Sequence, residues 1–256
     1  MSQVVGFALA VLIGVALGML GGGGSILTVP VFVYVMGFDP KDAIAMSLPV
    51  VGTTSLVGAV GHWRHGNVDR RAIVAFAPMA MLGAVVGAQL ATRVSGTFQL
   101  ALLGVVMLSA GVLMLRDSGA AMADAPPPSR GLRRVGVLAV AGLGVGLLTG
   151  LVGVGGGFMI VPALVLLAGL PMKRAIGTSL LVISLSTLTG AVAYHGQASP
   201  DWGAVGLFTA LAMAGTLVGT QLARRVPGHR LKRAFGVLVL LLAAFLLYQN
   251  RAAGAP

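Results

Sequence analysis

Gly18-Met-Leu-Gly-Gly-Gly-Gly-Ser-Ile-Leu-Thr-Val-Pro30 and Gly150-Leu-Val-Gly-Val-Gly-Gly-Gly-Phe-Met-Ile-Val-Pro162 are two copies of one pattern, set 132 residues apart in a strongly apolar chain. Glycine loses more backbone entropy in a helix than any other residue, and proline removes a backbone donor. Each copy therefore predicts an interrupted helix. In lipid an interruption leaves backbone polar groups that need partners. Interruptions at matching points of two halves point to a binding site.

Composition sets the solvent. The 256 residues are 57% hydrophobic and 9% charged, with a mean hydropathy of +0.98. A water-soluble domain of this size has no interior that could hide so much apolar surface, so the sequence specifies an all-α polytopic membrane protein. Cysteine is absent, which removes disulfides and thiolate metal sites. The net charge of +11 is explained by basic loops between membrane segments. No folded soluble region with interleaved aromatics offers itself to nucleic acid. The chain is apolar from Val4 and its first lysine is Lys41, so its start reads as a membrane segment and not as a cleaved signal.

The duplication extends far beyond the glycines. Residues from about 3 to 115 align without a gap to those 132 positions later, and roughly a third are identical. Lys41/Lys173, Ser47-Leu48/Ser179-Leu180 and the runs Gly87–Val94 and Gly219–Val226 all fall in register. The expected organisation is a first transmembrane repeat at 1–115, an exposed linker with Ala-Pro-Pro-Pro at 116–134, and a second repeat at 135–250. Each repeat has five apolar segments: 3–20, 25–37, 43–61, 72–91 and 97–115, then 135–152, 157–170, 175–193, 203–222 and 234–248. The second segment of each is short, at about 20 Å of helix against a hydrocarbon core of about 30 Å. It is either a short span or the returning arm of a re-entrant hairpin that turns at the glycines.

Basic residues decide how the halves are related. If each repeat crosses the membrane an odd number of times, 14 basic residues share one face, and the other keeps only Lys41, Arg93 and Arg251. An even number gives 8 against 9. The positive-inside rule favours the first, hence two inverted-topology repeats, a cytoplasmic linker and both termini outside the cytoplasmic membrane.

A glycine run leading into a short helix leaves the first N–H groups of that helix unpaired, and their partial positive charge suits an anion. The expected donors are Gly22, Gly23, Gly24 and Ser25 in the first copy and Gly155, Gly156 and Gly157 in the second, with Pro30 and Pro162 as helix breaks. The alternative use of such glycines is close helix packing. The third segment of each repeat is rich in hydroxyls that can donate to anion oxygens, which adds Ser47, Thr53, Thr54, Thr178, Ser179 and Ser186 to the expected substrate contacts. Gln89 and Gln221 hold matched positions in apolar segments, as a polar path or as braces between helices. No ionised side chain sits in the middle of a segment. His62, His65 and His195 are the titratable candidates and stand at segment edges, where an interfacial belt is the default role and proton sensing the alternative. Enzyme motifs are missing, and Ser25 has no evident buried histidine to activate it. The chain is expected to be no enzyme and to hold no metal or cofactor.

The two glycine motifs, the Ala-x-x-x-Ser-Leu stretches at Ala43–Leu48 and Ala175–Leu180, and the Gly66-Asn-Val-Asp69 loop together resemble the TauE/SafE family. The resemblance covers nearly the whole chain outside the linker and the C-terminal tail. It implies a secondary transporter of the cytoplasmic membrane that moves small sulfur-containing anions such as sulfite, sulfoacetate or other sulfonates. Its partners would then be a small anionic substrate and the lipid bilayer. Outward movement of one anion is favoured by about 2.3 kcal/mol per 100 mV when the interior is negative, so export is the expected direction, and it could run as uniport without a coupling ion, in keeping with the absence of buried carboxylates. The competing reading is a non-transporting membrane protein, an assembly partner or sensor, whose glycines serve packing alone.

Overall fold

The computed structural model describes residues 2–91, 93–94, 96–116, 132–152, 157–193 and 201–253. Among these the chain is almost wholly helical and contains no strand. Helices satisfy their own backbone, which lipid cannot do for them. In order they are α1 Ser2–Leu20, α2 Ser25–Pro30, α3 Pro40–Arg64, α4 Arg70–Ala91, α5 Gly96–Arg116, α6 Leu132–Val152, α7 Gly157–Pro162, α8 Met172–Ala193, α9 Trp202–Arg225 and α10 Gly228–Ala253. Gln3–Leu20, Asp42–Arg64, Arg70–Gly87 and Trp202–Arg225 are long and apolar enough to cross a membrane. Shorter apolar helices cover Ser25–Val35, Leu102–Arg116, Val135–Leu151 and Gly157–Leu167. The linker expected at 116–134 lies outside the described residues except at its ends.

The first glycine motif breaks the helix at Gly21, whose φ of 75° and ψ of −121° are open to glycine and closed to residues with a Cβ. Gly22–Gly24 make one 3₁₀ turn, α2 follows, and Val31–Val35 wind as π-helix. Pro30 does not end the helix, as had been expected from the sequence. It lacks an N–H and its ring crowds the carbonyl four residues back, and immediately beyond it the coil widens by one residue per turn. The Met36 N–H donates to the Val31 carbonyl at 3.0 Å and the Phe38 N–H to that of Phe32 at 3.0 Å. Gly37, with φ 80°, then stops the arm. The second half repeats this residue for residue: Ala163–Leu167 form a π-helix after Pro162, Ala168 bonds to Ala163, Leu170 to Leu164, and Gly169 has φ 62°.

Two compact units form, and neither is a sequence half. One joins Met1–Asp69 to Lys173–Pro227, the other Arg70–Met172 to Gly228–Pro256. In the first unit the arm from Gly22 to Val35 folds back along α1. Gly24 packs on Ile13 and Leu17, while Met36 reaches Gly6. Helices α1 and α9 run parallel with glycine on both faces of the contact. Gly14 lies on the Ala212 carbonyl and Gly18 on that of Thr216, while Gly215 lies on Val11 and Gly219 on Val15. Spacing by four keeps each pair on one helix face, and the missing side chains let the two backbones touch. Helix α3 is also parallel to α9, with Gly58 facing Thr216 and Gly61 facing Thr220. Helix α8 runs antiparallel to α3, because Gly58 meets Leu180 and Gly177 meets His62. Phe32 fills the middle of this unit, its ring centroid 4.6 Å from that of Phe208.

The second unit is built in the same way from the complementary helices. Gly83 lies on Leu143 and Gly87 on Leu147, while Gly142, Gly146 and Gly150 lie on Phe76, Ala80 and Ala84, so α4 and α6 are parallel. Gly14 and Gly18 correspond to Gly146 and Gly150 at the 132-residue offset, as Gly83 and Gly87 do to Gly215 and Gly219. Helices α5 and α10 are antiparallel, with Gly111 against Leu240 and Gly236 against Leu115. The whole of α7 is buried.

Candidate functional site

The first glycine turn and the helix ends around it, those of α3, α8 and α9, belong to one unit. Gly18 and Gly61 both pack on Thr220 of α9. Arg64 is three residues beyond Gly61 and Arg224 four beyond Thr220. Since α1, α3 and α9 are parallel, the turn at Gly21 stands level with the basic ends of α3 and α9. Lys173, at the start of α8, adds its charge there by donating from Nζ to the Arg224 carbonyl at 3.0 Å. Gly21, Gly22 and Gly24 are buried, and no side chain caps the arm that begins there. The loop after α3 is tied to α8: the Asp69 N–H donates to Thr178 Oγ1 at 3.0 Å. Gly177 has no side chain to obstruct Asn67 and His62.

The hydroxyls need a proton count. A serine or threonine has one O–H, and a hydroxyl bonded to its own helix has nothing left to donate. Ser25 donates to the Gly22 carbonyl at 2.7 Å, Ser47 to Ile44 at 2.8 Å, Thr54 to Val50 at 2.6 Å and Thr53 to Pro49 at 2.7 Å. On α8, Ser179 donates to Ile176 at 2.8 Å and Ser186 to Val182 at 2.9 Å. The hydroxyls selected from the sequence thus close on their own carbonyls, with one exception. Thr178 accepts from Asp69, and its own proton meets no acceptor among the described residues. Gly157 opens α7, while Gly155 and Gly156 lie outside the described residues, as does His195. Gln89 and Gln221 both face outward. Gln221 lines a surface groove of about 330 Å³ with Arg224 and Arg225.

Three further polar atoms stand out. Thr28 Oγ1, Ser55 Oγ and His62 Nδ1 are buried and have no hydrogen-bond partner among the described residues. All three belong to the first unit, Thr28 on the arm after the glycine turn and Ser55 and His62 on α3. Ser55 and His62 are seven residues apart, two turns along one face of that helix. The His62 ring is 2% exposed, and its other nitrogen, Nε2, lies 3.1 Å from the Gly18 carbonyl in the last turn of α1. A usable signal lay in the repeat. At the 132-residue offset Thr28 answers to Ile160 and His62 to Tyr194, so each is polar where its counterpart lacks the same group. Ser55 answers to Thr187, which donates to Ile183 at 2.7 Å and is satisfied. Among the described residues no three His, Cys, Asp or Glu side chains stand close enough together to hold a metal ion.

The profile of the family described as sulfite exporter TauE/SafE matches residues 6–246. A probable membrane transporter protein of Xylella fastidiosa strain 9a5c is 35% identical over 242 residues, which is 93% of this chain and 92% of that protein. The probable membrane transporter protein YdhB of Bacillus subtilis is 25% identical over 241 residues, 93% of this chain and 97% of that one. No solved structure matches.

Proposed function

The chain belongs to the sulfite exporter TauE/SafE family and is a multi-pass membrane transporter for a small molecule; from that premise we propose that it carries a small sulfur-containing anion outward across the cytoplasmic membrane by alternating access. The observation that carries the reading is a set of unpaired, buried polar atoms in the first unit: Thr28 Oγ1 on the arm, Ser55 Oγ on α3 and, at the level of the glycine turn, His62 Nδ1. Each costs about 1–3 kcal/mol when left unsatisfied, and a chain whose helices otherwise pair their polar groups has reason to keep them for a ligand. The two free hydroxyls and Thr178, with the backbone N–H groups at Gly22–Gly24, supply donors. The cationic ends at Arg64, Lys173 and Arg224 supply the field that draws an anion in. Gly155–Gly157 is the corresponding element of the second repeat.

Inverted repeats at 1–115 and 135–250, joined through a cytoplasmic linker at 116–134, are part of this proposal. Corresponding helices are antiparallel where they meet, α3 with α8 and α5 with α10. The first segment of each half lies parallel to the fourth of the other. Five alternating segments per half give that arrangement when one half is upside down. The packing-only reading accounts for Gly14, Gly18, Gly215 and Gly219. It gives no reason for the left-handed backbone at Gly21, where the chain turns.

Purified protein titrated with sulfite, sulfate, thiosulfate and sulfonates tests the reading. A ligand at 100 times its Kd adds about 2.7 kcal/mol, which for a chain of this size is a Tm rise of roughly 5–11 °C. The same anion should move into proteoliposomes. No shift and no flux with any of the panel overturns the proposal.

A further inference from the structure

We infer that His62 carries one proton with each transported anion, which makes the site proton-coupled; this rests on the transporter reading above and deepens it. The Gly18 carbonyl, 3.1 Å from Nε2, can only accept, so Nε2 bears a proton and donates it. The neutral ring then turns a lone pair outward at Nδ1, and that atom is buried with no partner among the described residues. A fully ionised oxyanion is also an acceptor, and two acceptors repel. An anion therefore settles at Nδ1 only with a proton between the two atoms, held by the ring as imidazolium or brought by the anion as an O–H. Either way the loaded site contains one proton more than the empty protein and the free ionised anion together. That proton leaves when the anion leaves.

The surroundings fit a site that opens and closes. Nε2 ties α3 to the end of α1 beside the glycine turn, and the His62 carbonyl accepts from the Asn67 N–H at 3.0 Å, which fixes the loop that leads to Thr178. A change of charge at Nδ1 is thus felt at the turn, at the loop and at α8 together. The titratable groups whose charge reaches the ring are His65 at the end of its own helix and Lys173 of α8. Helix α1 offers no titratable side chain, and α9 ends in Arg224 and Arg225. Apart from Asp69 in the loop, Lys173, Arg224 and Arg225 are cationic, which makes a proton at Nδ1 easiest to hold when an anion lies beside it. A groove of about 320 Å³ lined by Ala59, Val60, Trp63, Arg64 and Leu181 runs past the same end of α3 and reaches a neighbouring turn of α8. With one proton aboard, a divalent anion still moves one net negative charge, so export remains favoured by the membrane potential.

The test uses full-length protein in liposomes with an entrapped pH dye and sulfoacetate as the probe, since it has no group that titrates near neutral pH and no volatile acid to leak. Protein-free liposomes set the background. The expected result is one proton moved per anion, with sulfoacetate binding tightened about tenfold for each unit by which the pH falls across the range where His62 titrates. In H62Q, where an amide can still donate to Gly18 and cannot titrate, both the pH slope and the proton flux should be lost. If H62Q does not fold, the proton count on the unaltered protein decides alone. Sulfoacetate flux without protons overturns the inference and leaves the transporter reading standing, and so does H62Q that still moves protons. No flux of sulfoacetate or of any other anion in the panel overturns the transporter reading itself.

Discussion

Replacing Gly18 by alanine tests whether backbone contact between α1 and α9 holds the first unit together. A Cβ built at Gly18 would overlap the Thr216 carbonyl and lie 2.9 Å from the Thr220 backbone nitrogen. Both are main-chain atoms of a helix and cannot rotate away, so α1 and α9 must part by several tenths of an ångström. Overpacking of this kind costs about 1–3 kcal/mol. Against it stands the gain of alanine over glycine in a helix, about 0.8–1.0 kcal/mol. The expected net loss is about 0–2 kcal/mol, or a Tm up to roughly 8 °C lower. Gly144 on α6 and Gly206 on α9 provide the internal control. A Cβ at either meets nothing within 4 Å, so G144A and G206A should raise Tm by up to about 4 °C through propensity alone. Thermal unfolding of the four proteins in one detergent measures the difference. If G18A moves in the same direction as the two controls, the close approach of α1 and α9 is not what stabilises the unit.

The unpaired hydroxyls predict an opposition between stability and binding. T28V and S55A remove a buried group without a partner, so the ligand-free protein should gain up to about 1–3 kcal/mol while its melting shift with the anion falls. T54V, which removes a hydroxyl already bonded to Val50, should leave the anion shift unchanged; an equal effect from all three would refute the proton count. The inverted arrangement predicts that tags at both termini are reached from outside intact cells and a tag in 116–134 only after permeabilisation. Termini found on opposite faces would contradict it.

Much of this fold was legible because the duplication is gap-free and its glycines are doubled. The break at Gly21 follows from four consecutive glycines, and the helical class follows from hydropathy. The exchange of helices was hidden. Pairing of α1 with α9 depends on contacts some 200 residues apart, and local periodicity carries no record of them. Their small-residue faces, Gly14 with Gly18 and Gly215 with Gly219, show which face packs but not its partner. Hydroxyl-rich third segments were read as donors because residue type does not reveal where the proton goes. In a helix the carbonyl three or four residues back is the nearest acceptor, and it claimed most of them. Pro30 was expected to break a helix. In fact the widened π coil absorbed it and the break stayed with the glycines.

The parallel seating of α1 on α9 also has a meaning for biogenesis. The last residue of α1 leaves the ribosome about 180 residues before the first of α9, which at 5–20 residues per second is on the order of ten to forty seconds. Through that interval the glycine face of α1 and the uncapped start of its returning arm are in the bilayer without the helix that will cover them. The first unit is therefore completed late, after all but one of the helices of the second have been made. A nascent chain released before α9 should be the form that quality-control proteases recognise.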